Sequence, residues 1–139
     1  MSAKQRVIFI CTHNSARSQM AEGLLRHLAG ERFETFSAGT VATRVHPLAI
    51  IAMAEKGLDL SHHASEHIDK YMAMKFDYVI TVCDHAKEAC PYFPTSATQW
   101  HWSFADPSAA TGTEEERLQK FREVRKQIEQ SLRATFLLL

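Results

Sequence analysis

The stretch RVIFICTHNSARSQMAEGLLRHLA, residues 6–29, decides the fold. Its first part, Arg6 to Ile10, is a short apolar run rich in β-branched residues that stops at a polar loop, which is how a buried parallel strand reads. Its last part, Ser18 to Ala29, places Met20, Ala21, Leu24, Leu25 and Leu28 at helical spacing, and Gly30 offers a stop. Between them lie Cys11-Thr12-His13-Asn14-Ser15-Ala16-Arg17, too short for anything but a tight strand-to-helix loop.

The same alternation continues along the chain. Phe33 to Ala38 reads as a second strand ending at Gly39, and Pro47 to Lys56 as a helix with proline in its first turn and Gly57 as its stop. Ser65-Glu66 is the expected start of a short third helix. Asp77 to Val82 reads as a third buried strand, Asp84 to Ala89 as a helical segment ending before Pro91, and Thr98 to Trp102 as a fourth, shorter strand. Thr113 to Glu116 forms a capping box that opens a long amphipathic helix carrying Leu118, Phe121, Val124, Ile128 and Leu132. Strands alternating with helices, without repeats or long linkers, predict one α/β domain over residues 1–139 with a parallel sheet covered on both faces. Ligands of such sheets sit at the carboxyl ends of the strands near the switch point. Cys11 and Cys83 each follow an expected central strand, so the two thiols are expected at one edge of the sheet.

Composition narrows the function. Of 139 residues, 45% are hydrophobic and 23% charged, as in ordinary globular chains. No run approaches the ~18 apolar residues of a membrane span, and the apolar run after the first six residues is too short for a secretory leader, so a cytoplasmic location is expected. Sixteen basic residues balance sixteen acidic ones. That balance gives no long-range pull toward nucleic acid or anionic membrane, and any bound anion must be held by local geometry. Three cysteines, Cys11, Cys83 and Cys90, do not make a disulfide framework, and none are spaced Cys-x-x-Cys for zinc. His62, His63 and His67 could share a surface, but solvated loop histidines explain them better than a metal site.

The loop carries the chemistry. Its backbone N–H groups can converge on an anion, and the start of the following helix adds positive potential. Arg17 offers a planar fork of donors for two oxygens. The same field favours the thiolate of Cys11 as a nucleophile, Ser18 can donate a hydrogen bond to its sulfur, and Asn14 tolerates the left-handed backbone a tight anion loop needs. The bland reading, a buried cysteine at a strand end, suits Cys11 taken alone; a strand, Cys, five residues, Arg, Ser and a helix together favour an oxyanion site spanning Thr12, His13, Asn14, Ser15, Ala16, Arg17 and Ser18.

The motifs CTHNSARSQMAEG from Cys11, FSAGT at Phe36 to Thr40, VCDHAKEACP at Val82 to Pro91 and HWSFADP at His101 to Pro107 resemble the thioredoxin-coupled arsenate reductases built on the low-molecular-weight tyrosine phosphatase fold, over essentially the whole chain. The resemblance implies a three-layer α/β domain with a four-stranded parallel sheet flanked by helices, in a flavodoxin-like topology. It implies Asp106 as a general acid, where an ordinary Asp-Pro turn is the plain alternative. It implies Cys83 and Cys90 as the second and third members of a thiol relay, since reducing arsenate takes two electrons and thiols give two by forming a disulfide. Phosphatases of this fold carry aromatics after the Asp-Pro pair, where this chain has Ser108-Ala109-Ala110. The implied partners are arsenate, phosphate and sulfate as competing oxyanions, and a thioredoxin-like donor to a monomeric enzyme with no tightly bound cofactor. A potassium ion is implied at Asn14, Glu22, Ser37 and Glu66, the last standing where a related reductase has Asp. The alternatives are a phosphatase hydrolysing phosphoesters, and a non-enzymatic redox sensor or phosphate binder. If residues 84–89 are helical, the Cα atoms of Cys83 and Cys90 stand about 10.5 Å apart, beyond the roughly 4.4–6.8 Å of a disulfide; that segment must then unwind for the bond to close.

Overall fold

A computed structural model describes residues 4–84, 93 and 97–137. Strand β1, Gln5–Cys11, runs along the centre of the sheet, and helix α1, Arg17–Ala29, follows it after the loop. Then come β2, Phe33–Gly39, helix α2, Pro47–Ala54, a 3-10 turn at Ile68–Tyr71, β3, Tyr78–Thr81, β4, Thr98–His101, a second 3-10 turn at Pro107–Ala109, and helix α3, Glu114–Phe136. The four strands are all parallel, in the order β2-β1-β3-β4. That is the doubly wound order in which the chain reverses its direction of travel beside β1, so the switch point lies between β1 and β3. Ile10 pairs with Thr81, and Cys11 with Gly39. Cys11 therefore ends the central strand at the crevice the topology creates.

Alternation along β1 divides the core in two. Val7, Phe9 and Cys11 face a cluster built with Met20, Leu24 and Leu25 of α1, Ala49 and Met53 of α2, and Phe121, Ile128 and Phe136 of α3. Ile8 and Ile10 face the other side, where Ala38, Tyr71, Phe76, Val79 and Phe93 cover the sheet. Both faces of β1 are dry, which is why its sequence reads as a continuous apolar run. At the far end of the first cluster, the Phe136 ring lies 5.1 Å from Phe33, 5.5 Å from Tyr78 and 6.3 Å from Trp102, so α3 fixes the strand that leads into the Asp106 loop.

The helices start where the sequence signals them. Thr113 and Glu116 exchange the reciprocal bonds of a capping box, and His46 caps α2 by accepting from the Leu48 N–H, with Pro47 at the first position. Two expectations are corrected. Helix α2 ends at Ala54, short of Lys56, because the backbone turns out through Gly57 at φ +74°. No helix starts at Ser65-Glu66. The Glu66 N–H donates to the Asn14 side chain, its carbonyl accepts from the Gly39 N–H, and the extended His67 pairs with Gly39. A backbone committed to those distant partners cannot also form a helical turn, so the chain coils only from Ile68, as a 3-10 turn. The expected helix over Asp84 to Ala89 lies outside the described residues but for Asp84.

Candidate active site

The loop after β1 is held from outside by its carbonyls. The Thr12 carbonyl accepts from the Val41 N–H, His13 from the Thr43 and Ser65 hydroxyls, Asn14 from the Gln19 side chain, Ser15 from the His46 N–H and Ala16 from the Met20 N–H. Every peptide bond here is trans, and in a trans peptide the carbonyl and the next N–H point in opposite directions. Five carbonyls turned outward therefore turn the N–H groups of residues 13–17 toward the cleft lined by Cys11, His13, Ser15, Ala16, Arg17, Asp106 and Ser108. The turn requires one left-handed residue, and Asn14 supplies it at φ 49°. Helix α1 begins at Arg17 and adds its N-terminal field to the same cleft. The result is a nest of donors shaped for an anion.

The groups that could act on a bound anion meet in this cleft. The Cys11 sulfur, 2% exposed, lies 2.9 Å from the Ser18 hydroxyl. Arg17 is buried. Its Nη1 donates to the Phe104 carbonyl at 3.2 Å, and its Nη2 stands 3.8 Å from Asp106 Oδ2. The other oxygen of Asp106 accepts from the backbone N–H and hydroxyl of Ser108, so the ordinary turn role and the position beside Arg17 coexist in one residue. Burial holds the His46 imidazole below its usual range, with Arg117 and Arg44 acting in the same direction and Asp106 opposing them. Cys83 follows β3 and is fully buried, with its thiol 3.9 Å from the Ile10 carbonyl, one residue before Cys11. Cys90 lies outside the described residues.

Sequence reasoning gave no role in this site to five residues that build it. Gln19 is fully buried and donates to the Asn14 carbonyl, the Asn14 side-chain oxygen and the Ala64 carbonyl. His63 bonds Gln19, and Arg26 bonds both His63 and Glu22. Gly39 lies against the backbone of the loop, and Phe104 anchors Arg17. Only Gly39, at a strand end, and the Glu22–Arg26 spacing of four carried any signal. His62 and His63 touch ring to ring, while His67 pairs with Asp69, and among the described residues no three His, Cys, Asp or Glu side chains converge as a metal site.

Asn14, Glu22, Ser37 and Glu66 do gather in one region, but their oxygens do not form a set open to a potassium ion. The Asn14 side-chain oxygen already accepts two hydrogen bonds, from Gln19 and from the Glu66 N–H. The Ser37 hydroxyl donates to Glu22 at 2.6 Å, the other Glu22 oxygen holds Arg26, and the Glu66 carboxylate pairs with Lys70 at 3.1 Å. The guanidinium of Arg26 lines the same cavity of about 340 Å³ as Glu22, Ser37 and Glu66.

Residues 6–138 match the family described as low molecular weight phosphotyrosine protein phosphatase. The chain belongs to this family. Within the family, the chain is 44% identical over 125 residues to the arsenate reductase of Halalkalibacterium halodurans, which covers 90% of each chain. A solved structure of an arsenate reductase in the phosphate binding state superposes at a TM-score of 0.78 with 33% identity, over 94% of this chain and 95% of that one. The thioredoxin-dependent arsenate reductase of Corynebacterium glutamicum superposes at 0.69 with 28% identity, over 99% of this chain and 65% of the other. The four-stranded parallel sheet flanked by helices described above is the fold this chain shares with those arsenate reductases.

Proposed function

We propose that the chain is an arsenate reductase that works by a thiol relay and is regenerated by a thioredoxin-like donor in the cytoplasm, serving arsenic detoxification. One observation carries the reading. A second thiol, Cys83, is buried at the end of the strand beside the nucleophile's own, against the Ile10 carbonyl. A phosphatase needs Cys11, Arg17 and Asp106 and has no use for Cys83.

The described geometry supports the steps at Cys11, Arg17 and Asp106, and the resemblance supplies the rest. Arsenate sits among the N–H groups of residues 13–17 and the Arg17 fork, and the Cys11 thiolate, held by Ser18, attacks arsenic. Asp106, beside Arg17, gives its proton to the departing oxygen. The Cys83 thiolate then attacks the Cys11 sulfur. The sulfur–arsenic bond breaks, its electron pair leaves with arsenic as arsenite, and a Cys11–Cys83 disulfide remains. Arsenic gains two electrons and two thiols lose them. Cys90 attacks Cys83 and frees Cys11, and the donor's dithiol reduces the Cys83–Cys90 bond. The site uses no tightly bound cofactor in this scheme, the enzyme acts as a monomer, and phosphate and sulfate compete for the loop.

Arsenate-dependent NADPH oxidation, coupled through thioredoxin and thioredoxin reductase and repeated with a glutaredoxin system, tests the proposal. The chain should turn over arsenate with the thioredoxin pair, and Cys83→Ser should abolish that turnover while sparing any hydrolysis of p-nitrophenyl phosphate. Phosphoester hydrolysis without arsenate turnover would make the chain a phosphatase; neither activity would make it a binding or sensing module.

A further inference from the structure

A continuous run of hydrogen bonds joins the nucleophile to a cation on the surface. Arg26 contacts His63 Nε2 at 3.0 Å, His63 Nδ1 contacts Gln19 Oε1 at 2.9 Å, Gln19 Nε2 contacts Asn14 Oδ1 at 2.9 Å, Asn14 Nδ2 contacts the Ser18 hydroxyl at 2.8 Å, and that hydroxyl contacts Cys11 Sγ at 2.9 Å. The direction of every bond as far as Ser18 follows from the first. A guanidinium only donates, so His63 Nε2 accepts and carries no hydrogen. The hydrogen of the neutral ring is then on Nδ1 and is donated to Gln19 Oε1. Gln19 must donate through its nitrogen, Asn14 accepts through its oxygen and donates through its nitrogen to Ser18, and Ser18 points its one hydrogen at the sulfur once Cys11 is a thiolate, which can only accept. All the donors run from Arg26 toward Cys11. A chain ordered in that sense stabilises negative charge at its end, and each link strengthens the next.

We propose that Arg26 is a positioning residue, a tethered cation that orders this chain and stabilises the Cys11 thiolate, standing in for the potassium ion implied at Asn14, Glu22, Ser37 and Glu66. Glu22 holds the guanidinium from one helical turn away, and the Glu22 oxygen that does not bind Arg26 takes the Ser37 hydroxyl. A free cation placed among these oxygens would face a fixed positive charge and find its ligands engaged. The chain also depends on a neutral His63, since a protonated ring would set an N–H against Arg26. Burial lowers the proton affinity of His63, as do Arg26 and His62, against the opposing pull of Glu22 and Asp59. Arg26 is 44% exposed on its side chain, and an exposed pair adds little to stability, so its role should show in thiol reactivity rather than in folding.

The inference rests on Cys11 as the nucleophile and needs no particular substrate, so the test reads the sulfur directly. Cys11 alkylation by iodoacetamide is followed by mass spectrometry at pH 6 and pH 8.5, in potassium chloride and in choline chloride. The unmodified chain should react at the same rate in both salts. Arg26→Met in choline should lose about tenfold in its pH 6 rate, about 1.4 kcal/mol of thiolate stabilisation, with a smaller loss at pH 8.5 and an unchanged melting temperature. Potassium should restore most of the lost rate by entering the vacated position, and Arg26→Lys should retain most of it in choline. A potassium stimulation of more than about threefold in the unmodified chain would overturn the inference without any variant. So would an Arg26→Met chain that reacts like the parent in choline, or one whose loss potassium leaves unrepaired; Arg26→Gln serves in the same way if the methionine variant does not fold. Failure of arsenate turnover would leave this result standing, because no step of it uses arsenate.

Discussion

Replacing Gly39 with alanine puts a methyl group into the back of the oxyanion loop. The added carbon would lie 2.5 Å from the Thr12 carbonyl oxygen, 2.9 Å from the Asn14 nitrogen and 2.9 Å from the Cys11 carbonyl oxygen. Ordinary contact begins at 3.4 Å, so the Thr12 carbonyl must retreat by about 0.9 Å and the other two atoms by about 0.5 Å. All three are backbone atoms, and no rotamer change relieves them. Strand β2 cannot give way either, because the Gly39 N–H is bonded to the Glu66 carbonyl and Gly39 is paired with both Cys11 and His67. The displacement therefore falls on the loop, whose N–H groups must sit within a fraction of an ångström of the anion. A shift near 1 Å in such a site costs about 100-fold in rate, and forced overpacking costs about 1–3 kcal/mol of stability. Gly39→Ala should lower arsenate kcat/KM by about two orders of magnitude, weaken phosphate binding in calorimetry, and melt several degrees lower. Gly57→Ala is the control. Its added carbon meets nothing within 4 Å, and φ +74° makes it strained but remote, so it should lose about 1–2 kcal/mol of stability with turnover intact. Gly39→Ala turning over within threefold of the parent would refute the close-packing account of the loop.

Two further outcomes follow from the same geometry. Arg17→Lys should lower kcat/KM at least about 100-fold, because a point charge cannot bond the Phe104 carbonyl, face Asp106 and grip two oxygens at once; unchanged steady-state kinetics would remove Arg17 from the site. Glu55→Gln should alter the pH dependence of stability. Hydrogen bonds from Arg122 chiefly, and from Arg125, hold the Glu55 carboxyl at about 2 against an ordinary 4.5, with burial opposing. A depressed value in the folded chain means stability that is present above pH 4.5 and is lost as pH falls from there toward 2. The whole difference corresponds to about 3 kcal/mol; Glu55 is a third exposed, and solvent screening reduces this to about 1 kcal/mol. Urea denaturation should show Glu55→Gln weaker by that amount at pH 7 and most of that deficit gone by pH 2, and an equal deficit at both pH values would discard the linkage.

What could be read from the sequence was what local chemistry decides. The strand before Cys11 and the helix after Arg17 carry their periods in consecutive residues, and the Thr113–Glu116 box closes within one turn. The left-handed Asn14 follows from its residue type. What escaped was decided by partners far along the chain, such as Gln19 with Ala64, Asn14 with Glu66 and Arg17 with Phe104. Ser65-Glu66 looks like a helix start because no local feature says that its backbone is already engaged by Asn14 and Gly39. The potassium set at Asn14, Glu22, Ser37 and Glu66 came with the family resemblance and not from local chemistry; Arg26, one turn from Glu22 on the same helix, stands beside that set, and its spacing from Glu22 is visible in the sequence.

The outward-facing carbonyls of residues 12–16 also bear on how such a site could be moved or could arise. They are held by Val41, Thr43, His46 and Ser65, which lie on connections that follow β2 and α2, and by Gln19 and Met20 of α1. The eight residues from Cys11 to Ser18 are therefore a signature of a scaffold and not a portable module. Grafted onto another strand–helix junction, they would keep the cysteine and the arginine but leave the peptide planes free to rotate, and the donors would no longer converge. Drift in the connections after β2 can silence the same motif while every residue of it stays in place.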